Sequence, residues 1–295
     1  MSLSSIKVAI QGFPGANHDI AARAFFNDRK VELVPCMTFQ ELFETIKGEN
    51  DIVGLVAIEN TLVGSLLGNY TLIKDFGLKV IGEYKLRIKH QLMTLPGQSI
   101  FDVTEVHSHP MALAQCEAYF KQYPHIRLIE SEDTALSAKK IFDGQTKGVA
   151  AIASTLASKL YGLEIIAKDI ETNKHNFTRF LVVGKEDQAS SIVDSSKINK
   201  SSLVLSLPHE EGSLSKILTI LTFYKINLTK IQSLPIVGKE WEYLFYIDVM
   251  FDDYTRYRQS LDAIIPLCRD LKDLGEYVAA DVLYETNGGD EAKRV

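Results

Sequence analysis

The chain has 295 residues, of which 46% are hydrophobic and 24% are charged, and its formal net charge at pH 7 is −6. This length allows a large hydrophobic core and about two domains, and the composition is that of an ordinary soluble globular protein. The acidic balance excludes a broad basic surface, so nucleic acid is not expected as a partner.

The cysteine pattern and the first stretch of the chain indicate a location. Cys36, Cys116 and Cys268 are scattered and lack CxxC spacing, so a disulfide scaffold or a structural zinc site is not expected. Reduced thiols are typical of the cytoplasm. The stretch MSLSSIKVAIQGF has no charged region before a long apolar run, as a secretion signal would need. No run is long enough to span a membrane, and we therefore expect a cytoplasmic protein with no membrane partner.

Strand-like and helix-like stretches alternate from the start of the chain. The apolar runs KVAIQG (7–12), VELVPC (31–36) and IVGLVAIEN (52–60) predict buried strands, and the stretches 13–26 and 38–48 between them predict helices. Thr38 is a candidate N-cap, and Gly48 a candidate stop. This alternation predicts an α/β fold with a parallel sheet covered on both faces.

The same pattern continues to about residue 185. The stretch 75–95 contains further strand-like runs, and strand–helix pairs follow at 104–124, 126–144 and 148–163. Pro110 suits the first position of a helix. The stretch EIIAKDIETNKHNFTRFLVVG then closes this region.

A second region follows a polar, serine-rich stretch at 186–200, whose composition is that of a linker. The pattern beyond it predicts the order βαββαβ, which is the ferredoxin-like arrangement. The predicted elements are a strand at 202–207, a helix at 211–225, strands at 226–236 and 241–251, a helix at 255–271 and a strand, DVLYE, at 281–285. The tail from 285 to 295 is expected to be flexible.

Two motifs place polar groups at strand ends, where open α/β sheets bind ligands. Glu59, Asn60 and Thr61 fall at the carboxyl end of the third strand, and the stretch HSHPMALAQC (107–116) opens a helix whose N-terminus could face an anion. Taken alone, each motif is better explained as an ordinary loop or helix cap. His107 and His109 have no further ligands at suitable spacing, so a metal site is not expected.

The motif NFTRF, residues 176–180, puts the Thr178 hydroxyl beside the Arg179 guanidinium at the start of an apolar run. It could be a strand entry with Arg179 in a surface salt bridge. Threonine is a poor nucleophile without an activating base, so any chemical role of Thr178 would be hydrogen-bond or proton donation. No P-loop or GxGxxG motif occurs in the chain.

Taken in order, these motifs resemble the prephenate dehydratase family with a C-terminal ACT domain, from about Ile6 to Tyr284. The matching stretches are KVAIQGFPGANH, VAIENTLVGS, SHPMALAQC, AAIAS with YGL, NFTRF, LPHEEGSLSKIL and INLTKIQSLP. This family converts prephenate to phenylpyruvate, on the route to phenylalanine, with loss of carbon dioxide and water.

The resemblance implies a domain plan and partners. Residues 5–185 would form a catalytic region of two lobes like a periplasmic binding protein, with crossings near 80 and 165. Residues 186–200 would be a linker and 201–284 a ferredoxin-like ACT domain. The resemblance also implies prephenate as substrate, no cofactor, L-phenylalanine as allosteric inhibitor, and a homodimer or homotetramer.

The resemblance also assigns roles to residues. Thr178 would donate a proton to the departing ring hydroxyl, Arg179 would pair with one carboxylate, and the helix start at Ser108 would hold the other. The expected catalytic residues are Thr178, Arg179, Glu59, Asn60 and Gln115. The expected substrate-binding residues are Thr61, Ser108, His109, Asn176, Phe177, Phe180, Gly12 and Gly15. The expected effector-binding residues are Gly212, Ser213, Leu214, Gln232, Ser233, Leu234 and Pro235.

The chain departs from the family pattern in several places. The motif E-N-S has Thr61 in place of serine, which keeps the hydroxyl, whereas the opening turn GPEGTYS is GFPGANH here and loses two hydroxyls. In the ACT region, E-S-R-P is Q-S-L-P at 232–235 and the P-G-A-L-type motif is E-G-S-L at 211–214. Phenylalanine could therefore bind differently, more weakly or not at all.

Two other functions stay open at this point. Arogenate dehydratase performs the same elimination on the aminated substrate, and a catalytically inactive amino-acid sensor could use the same fold.

Overall fold

The computed structural model describes residues 4–280. The chain folds into two compact units. Of the described residues, unit 1 contains 4–66 and 85–180, and unit 2 contains 67–84 and 181–280. Two strands, which span residues 79–87 and 177–184, pass from one unit to the other along their length.

The strands and helices follow one another in the order that the sequence pattern predicts for most of the chain. The strands are β1 (Ser5–Gln11), β2 (Lys30–Cys36), β3 (Ile52–Asn60), β4 (Gly64–Ser65), β5 (Lys79–Arg87), β6 (Gln91–Thr94), β7 (Glu105–Ser108), β8 (Arg127–Glu130), β9 (Val149–Ala153), β10 (Glu164–Ala167), β11 (Phe177–Gly184), β12 (Lys200–Ser206), β13 (Asn227–Pro235), β14 (Tyr243–Met250) and β15 (Asp270–Tyr277). The helices are α1 (Asn17–Phe25), α2 (Phe39–Gly48), α3 (Leu67–Phe76), α4 (Pro110–Phe120), α5 (Thr134–Gly144), α6 (Thr155–Tyr161), α7 (Glu186–Ile192), α8 (Ser213–Phe223) and α9 (Tyr254–Ile264).

The first sheet has the strand order β2-β1-β3-β11-β5, and β4 pairs with β3. Strand β1 is parallel to both β2 and β3. Strand β3 is buried along nearly its whole length, which explains why its sequence is an unbroken apolar run up to Glu59. Asn60 ends this strand, so the first motif does lie at a strand end.

The second sheet, in unit 1, has the order β10-β6-β9-β7-β8. Strand β7 is parallel to β8 and β9, whereas β6 is antiparallel to both β9 and β10. The predicted parallel sheet is therefore wrong for this part, and the sheet is mixed. Parallel neighbours need a long crossover, usually a helix, whereas β6 follows β5 after only residues 88–90.

The sheet of unit 2 is antiparallel, with the order β13-β14-β12-β15. With α8 and α9 it forms the predicted βαββαβ arrangement. Apolar side chains of β12, β14 and both helices share one core, which includes Leu203, Leu205, Ile217, Leu221 and Ile247.

Several predicted boundaries differ from the structure. The helix predicted at 255–271 ends at Ile264, because Pro266 sits in a short 3-10 turn, and β15 takes the place of the last strand. The strand predicted at 281–285 and the tail to 295 lie outside the described residues. Helix α3 was not predicted, and the stretch 186–200 contains α7 rather than irregular chain alone.

Candidate active site

Unit 1 contains a cavity of about 250 Å³, bounded by the starts of helices α1, α4 and α5 and by β3 and β11. Its apolar wall includes Ala57, Leu66, Ile88 and Phe180. The polar lining consists of Gln11, Asn17, His18, Asn60, His90, His109, Gln115, Glu132, Asp133, Thr134 and Thr178.

The alternation of side chains along β11 divides the NFTRF motif between two faces. Thr178 and Phe180 line the cavity, whereas Phe177 and Arg179 do not. On β3, Asn60 lines the cavity and Glu59 does not. Arg179 Nη1 lies 3.9 Å from Glu59 Oε2, so these two predicted catalytic residues meet each other outside the cavity lining.

Asn60 is held by four hydrogen bonds. Its Oδ1 accepts from the backbone N–H groups of Leu62 (2.9 Å) and Val63 (3.1 Å). Its Nδ2 donates to Asn176 Oδ1 at 2.8 Å and to Thr178 Oγ1 at 2.9 Å. The Asn60 side chain therefore joins the end of β3 to the start of β11.

Thr178 is 9% exposed and borders the cavity. Because its Oγ1 accepts a hydrogen bond from Asn60, its own O–H proton stays available for a group in the cavity. A hydroxyl oriented in this way is a donor rather than a nucleophile, since no base in the described part of the chain accepts its proton.

The hydrogen bonds continue beyond Asn60. Asn176, which is fully buried, donates from Nδ2 to Gln115 Oε1 at 2.9 Å, and His90 Nε2 lies 2.8 Å from the same oxygen. We call Thr178, Asn60, Asn176, Gln115 and His90 the cavity network. Four of these five residues were predicted from the sequence.

Two histidines in the cavity wall were missed by sequence reasoning. Burial lowers the pKa of His18 to about 4, and its ring packs edge-on against Phe180 with ring centres 5.0 Å apart. Burial also lowers the pKa of His90. Neither histidine has a partner at motif spacing in the sequence, so only the fold reveals them.

Ser108 and His109 have different positions. Ser108 is fully buried and donates its hydroxyl to the carbonyl oxygen of Ile152 at 2.7 Å, so it is committed to the sheet and does not line the cavity. His109 lines the cavity and is the N-cap of α4, where its Nδ1 accepts from the Met111 N–H at 3.2 Å.

The opening glycines shape the backbone and do not line the cavity. Gly15 has φ of +91°, and a Cβ there would lie 2.8 Å from Ala157 Cα, so only glycine allows this close approach. Gly12 has φ of +102°, and a Cβ there would lie 2.9 Å from Asp133 Oδ2.

The Thr61 hydroxyl has a structural role, because it joins two segments of the chain. Its Oγ1 donates to the His175 carbonyl at 2.9 Å and accepts from the Phe177 N–H at 3.0 Å. The hydroxyl that threonine shares with serine therefore ties the end of β3 to the chain before β11, which explains why this departure from the family motif is compatible with the fold.

Helix starts bring partial positive charge to the cavity. Among the described residues, its lining contains no lysine or arginine, whereas three helices begin there and leave partial positive charge on their first N–H groups. The N-cap of α1, Ala16, gives no side-chain hydrogen bond, so none of those N–H groups is capped by it. Asp133 caps α5, and burial raises its pKa.

Within residues 4–280, no cluster of His, Cys, Asp or Glu is suited to a metal ion.

The predicted effector residues fall on two elements of unit 2. Ser213 and Leu214 begin α8 and line a cavity of about 140 Å³, together with Trp241, Tyr243 and Phe245. Gly212 is the N-cap of that helix. Residues 232–235 lie on the edge strand β13 and are not part of this lining.

Residues 4–280 contain no helix with the length and apolar character that a membrane crossing requires.

The family model for prephenate dehydratase matches residues 8–188, which is more than half of the chain. The chain belongs to the prephenate dehydratase family. The prediction of this family is thereby confirmed.

Relatives of the family extend the match. The chain is 38% identical over 254 residues to arogenate dehydratase/prephenate dehydratase 2, chloroplastic, of Arabidopsis thaliana, with 83% of this chain and 65% of that protein covered. It is 34% identical over 279 residues to the bifunctional chorismate mutase/prephenate dehydratase of Aquifex aeolicus, with 93% and 74% covered. The chain spans less than two thirds of two of these relatives: 65% of the Arabidopsis protein and 64% of arogenate dehydratase 2 of Petunia hybrida.

Solved structures share the fold. GqqA, described as a novel type of quorum quenching acylase, has a TM-score of 0.82 at 27% identity, with 93% of this chain and 98% of that chain covered. Prephenate dehydratase from Arthrobacter aurescens in complex with L-Phe has a TM-score of 0.80 at 24% identity, with 93% and 90% covered. The predicted α/β fold class is confirmed, with mixed sheets.

Proposed function

We propose that this chain is a prephenate dehydratase, which converts prephenate to phenylpyruvate with loss of carbon dioxide and water. The observation that supports this most directly is the Thr178 hydroxyl, whose oxygen accepts from Asn60 Nδ2 at 2.9 Å at the cavity wall. Its proton is left to donate to a leaving group. The proposal also rests on membership of the family.

The reaction needs little chemistry from the protein. When the ring carboxylate leaves as carbon dioxide, its electron pair enters the ring, the carbon–oxygen bond to the ring hydroxyl breaks, and an aromatic ring forms. The departing hydroxide takes up one proton and leaves as water. We assign to Thr178 the hydrogen bond that assists this departure, and such a donor contributes roughly 10²- to 10⁴-fold to a rate.

Substrate binding would use neutral donors and helix starts. Prephenate is a dianion, and the cavity lining has no cationic side chain among the described residues. The first N–H groups of α1 can bind a carboxylate, whereas Pro110 of α4 has no N–H and the Met111 N–H is already bonded to His109. From α4, the Gln115 side-chain amide lines the cavity. We infer that Phe180 supplies apolar wall, and that Arg179 and Glu59 support the strand ends from outside the cavity lining.

The predicted regulation remains a proposal. We propose that residues 201–284 form an ACT domain that binds L-phenylalanine, and that the protein is a homodimer or homotetramer. The βαββαβ arrangement of unit 2 supports the first part, and the Arthrobacter aurescens relative was solved with L-Phe. The small cavity beside Ser213 and Leu214 is the candidate effector site.

Arogenate is the second candidate substrate. It differs from prephenate by an amino group, and two carboxylates, Glu132 and Asp133, line the cavity. Two relatives, at 38% and 37% identity, have arogenate dehydratase in their names. The site does not favour the acylase activity named for the GqqA structure. Amide hydrolysis needs an activated nucleophile, whereas Thr178 accepts a hydrogen bond from the Asn60 amide.

The test is a direct assay with both substrates. Phenylpyruvate formed from prephenate is followed by ultraviolet absorbance in base, with and without added L-phenylalanine. Phenylalanine formed from arogenate is followed by amino-acid analysis without added L-phenylalanine. We expect kcat/KM for prephenate to exceed that for arogenate and L-phenylalanine to inhibit. Turnover without inhibition would remove the effector proposal alone. If the folded protein turned over neither substrate, the proposed enzyme activity would be refuted and the catalytically inactive amino-acid sensor would be favoured.

A further inference from the structure

The donor and acceptor roles in the cavity network follow from two backbone N–H groups. The N–H groups of Leu62 and Val63 can only donate, so the Asn60 atom that faces them is its oxygen. The Asn60 nitrogen therefore faces Asn176 and Thr178. Side-chain amide orientations are inferred from such partners, and here the partners leave a single choice.

The same logic extends to the far end of the network. Because Asn176 accepts from Asn60 through Oδ1, its Nδ2 donates to Gln115 Oε1 at 2.9 Å. Gln115 Oε1 is thus an acceptor, and His90 Nε2, 2.8 Å away, must carry the proton that it shares with this oxygen. The Gln115 oxygen is occupied from two sides.

This leaves one group of Gln115 unused. Among the described residues, the Gln115 amide nitrogen makes no hydrogen bond, and Gln115 lines the cavity beside Thr178. If Gln115 rotated by half a turn, its nitrogen would face the donors of Asn176 and His90. The two donors therefore hold the N–H groups of Gln115 toward the ligand.

We propose that His90 is a positioning residue for substrate binding, which holds the Gln115 amide with its N–H groups facing an anionic oxygen of the substrate. This inference rests on the proposed function, since it names the residue that prepares a donor for the same reaction. His90 is 4% exposed, and its own backbone N–H is held by Glu171 Oε2 at 3.0 Å. Burial keeps the imidazole mainly neutral near neutral pH, because it lowers the His90 pKa.

A spectroscopic test does not depend on turnover. Protein labelled with ¹⁵N-histidine is compared by proton–nitrogen correlation with the Gln115→Leu variant, and the His90 resonance is assigned by its loss in His90→Gln. We expect a slowly exchanging, downfield N–H on Nε2 of His90 that disappears in Gln115→Leu. An Nε2 without a proton, or an N–H that Gln115→Leu leaves unchanged, would overturn the proposed hydrogen bond.

The kinetic test uses a matched pair of variants. Glutamine places its amide nitrogen near the position of imidazole Nε2, whereas asparagine reaches only the Nδ1 position. We expect His90→Gln to keep kcat/KM within about threefold, and His90→Asn and His90→Leu to lower it about tenfold to a hundredfold, mostly through KM, because a buried hydrogen bond is lost. The exposed His125 provides the control His125→Leu.

A double-mutant cycle separates positioning from a direct role. If His90 acts through Gln115, then His90→Leu has no further effect in the Gln115→Leu background. Additive losses, or a His90→Gln protein as impaired as His90→Leu, would contradict the proposal. If the wild-type protein turned over neither substrate, the spectroscopic test would still decide the hydrogen bond, so the two proposals fail separately.

Discussion

Two buried polar clusters in this protein differ in how they end. The cavity network consists of neutral side chains, and it ends on two donors without a described partner, the Thr178 hydroxyl and the Gln115 amide nitrogen, at a cavity. In unit 2, Lys200 Nζ lies 2.7 Å from Glu83 Oε1, and Glu83 Oε2 accepts from the Ala280 N–H at 2.9 Å. We call Lys200 and Glu83 the buried ion pair.

The difference separates function from structure. The buried ion pair satisfies its charges within the protein, and both side chains are at most 5% exposed, so it specifies packing. The cavity network is incomplete until a ligand arrives. A buried polar cluster therefore indicates a binding site when it ends on donors at an open space, and not merely because it contains many polar residues.

The largest expected effect is at Thr178. We expect Thr178→Ala to lower kcat roughly 10²- to 10⁴-fold, because the donor to the leaving hydroxyl is removed, whereas Thr178→Ser keeps the hydroxyl and most of the activity. Steady-state kinetics on both variants, with urea unfolding to verify folding, measures this. A Thr178→Ala protein within tenfold of wild type would end the assignment.

The buried ion pair should affect stability instead. We expect Lys200→Met to lower the free energy of unfolding by about 3–5 kcal/mol, because it leaves the Glu83 carboxylate buried without its partner. The double variant Lys200→Met with Glu83→Leu should recover most of this loss. Urea unfolding measures the free energies. If Lys200→Met lowered kcat but left the free energy of unfolding at its wild-type value, the distinction between the two clusters would be wrong.

His18 should make stability depend on pH. Burial lowers its pKa to about 4, whereas the unfolded residue titrates near about 6.5. Between these values the unfolded chain binds a proton that the folded protein does not, so stability falls as pH decreases. Between about pH 7.5 and 4.5, wild type should lose about 2–3 kcal/mol more than His18→Leu.

Urea unfolding of both proteins at the two pH values isolates the His18 contribution, and His125→Leu serves as the control. Equal pH dependence in wild type and His18→Leu would show that His18 does not stay neutral in the cavity wall.

The smallest effect is expected at Arg179. Its Nη1 is 3.9 Å from Glu59 Oε2, the Glu59 side chain is 41% exposed, and neither residue lines the cavity. The Arg179 side chain is only 10% exposed, but the contact is long and its partner is exposed, so the pair contributes about 1 kcal/mol at most. We therefore expect Arg179→Gln and Glu59→Gln each to change kcat/KM less than about tenfold. A loss as large as that of Thr178→Ala would bring the guanidinium into the reaction.

Local pattern accounts for much of the fold and part of the candidate site. The apolar run of β3 ends at Asn60 as predicted, and Pro110 begins α4. Motif resemblance led to Thr178, Asn60 and Gln115, which the structure brings to one cavity. His18 and His90 were missed, because a single histidine with no further ligand or base at a recognisable spacing does not indicate a cavity position in the sequence.

The sequence alone determined much of the order of strands and helices, the βαββαβ pattern and the family, because hydrophobic period and ordered motifs are local properties of the chain. It missed α3 and α7 and misplaced the last strand. Tertiary structure alone decided which face of β11 meets the cavity, that β6 runs antiparallel to β9 and β10, and that Gln115 and His90 share a hydrogen bond. Strand direction and side-chain partners depend on residues far apart in sequence, such as Asn60 and Thr178. Only packing brings such residues within hydrogen-bond distance.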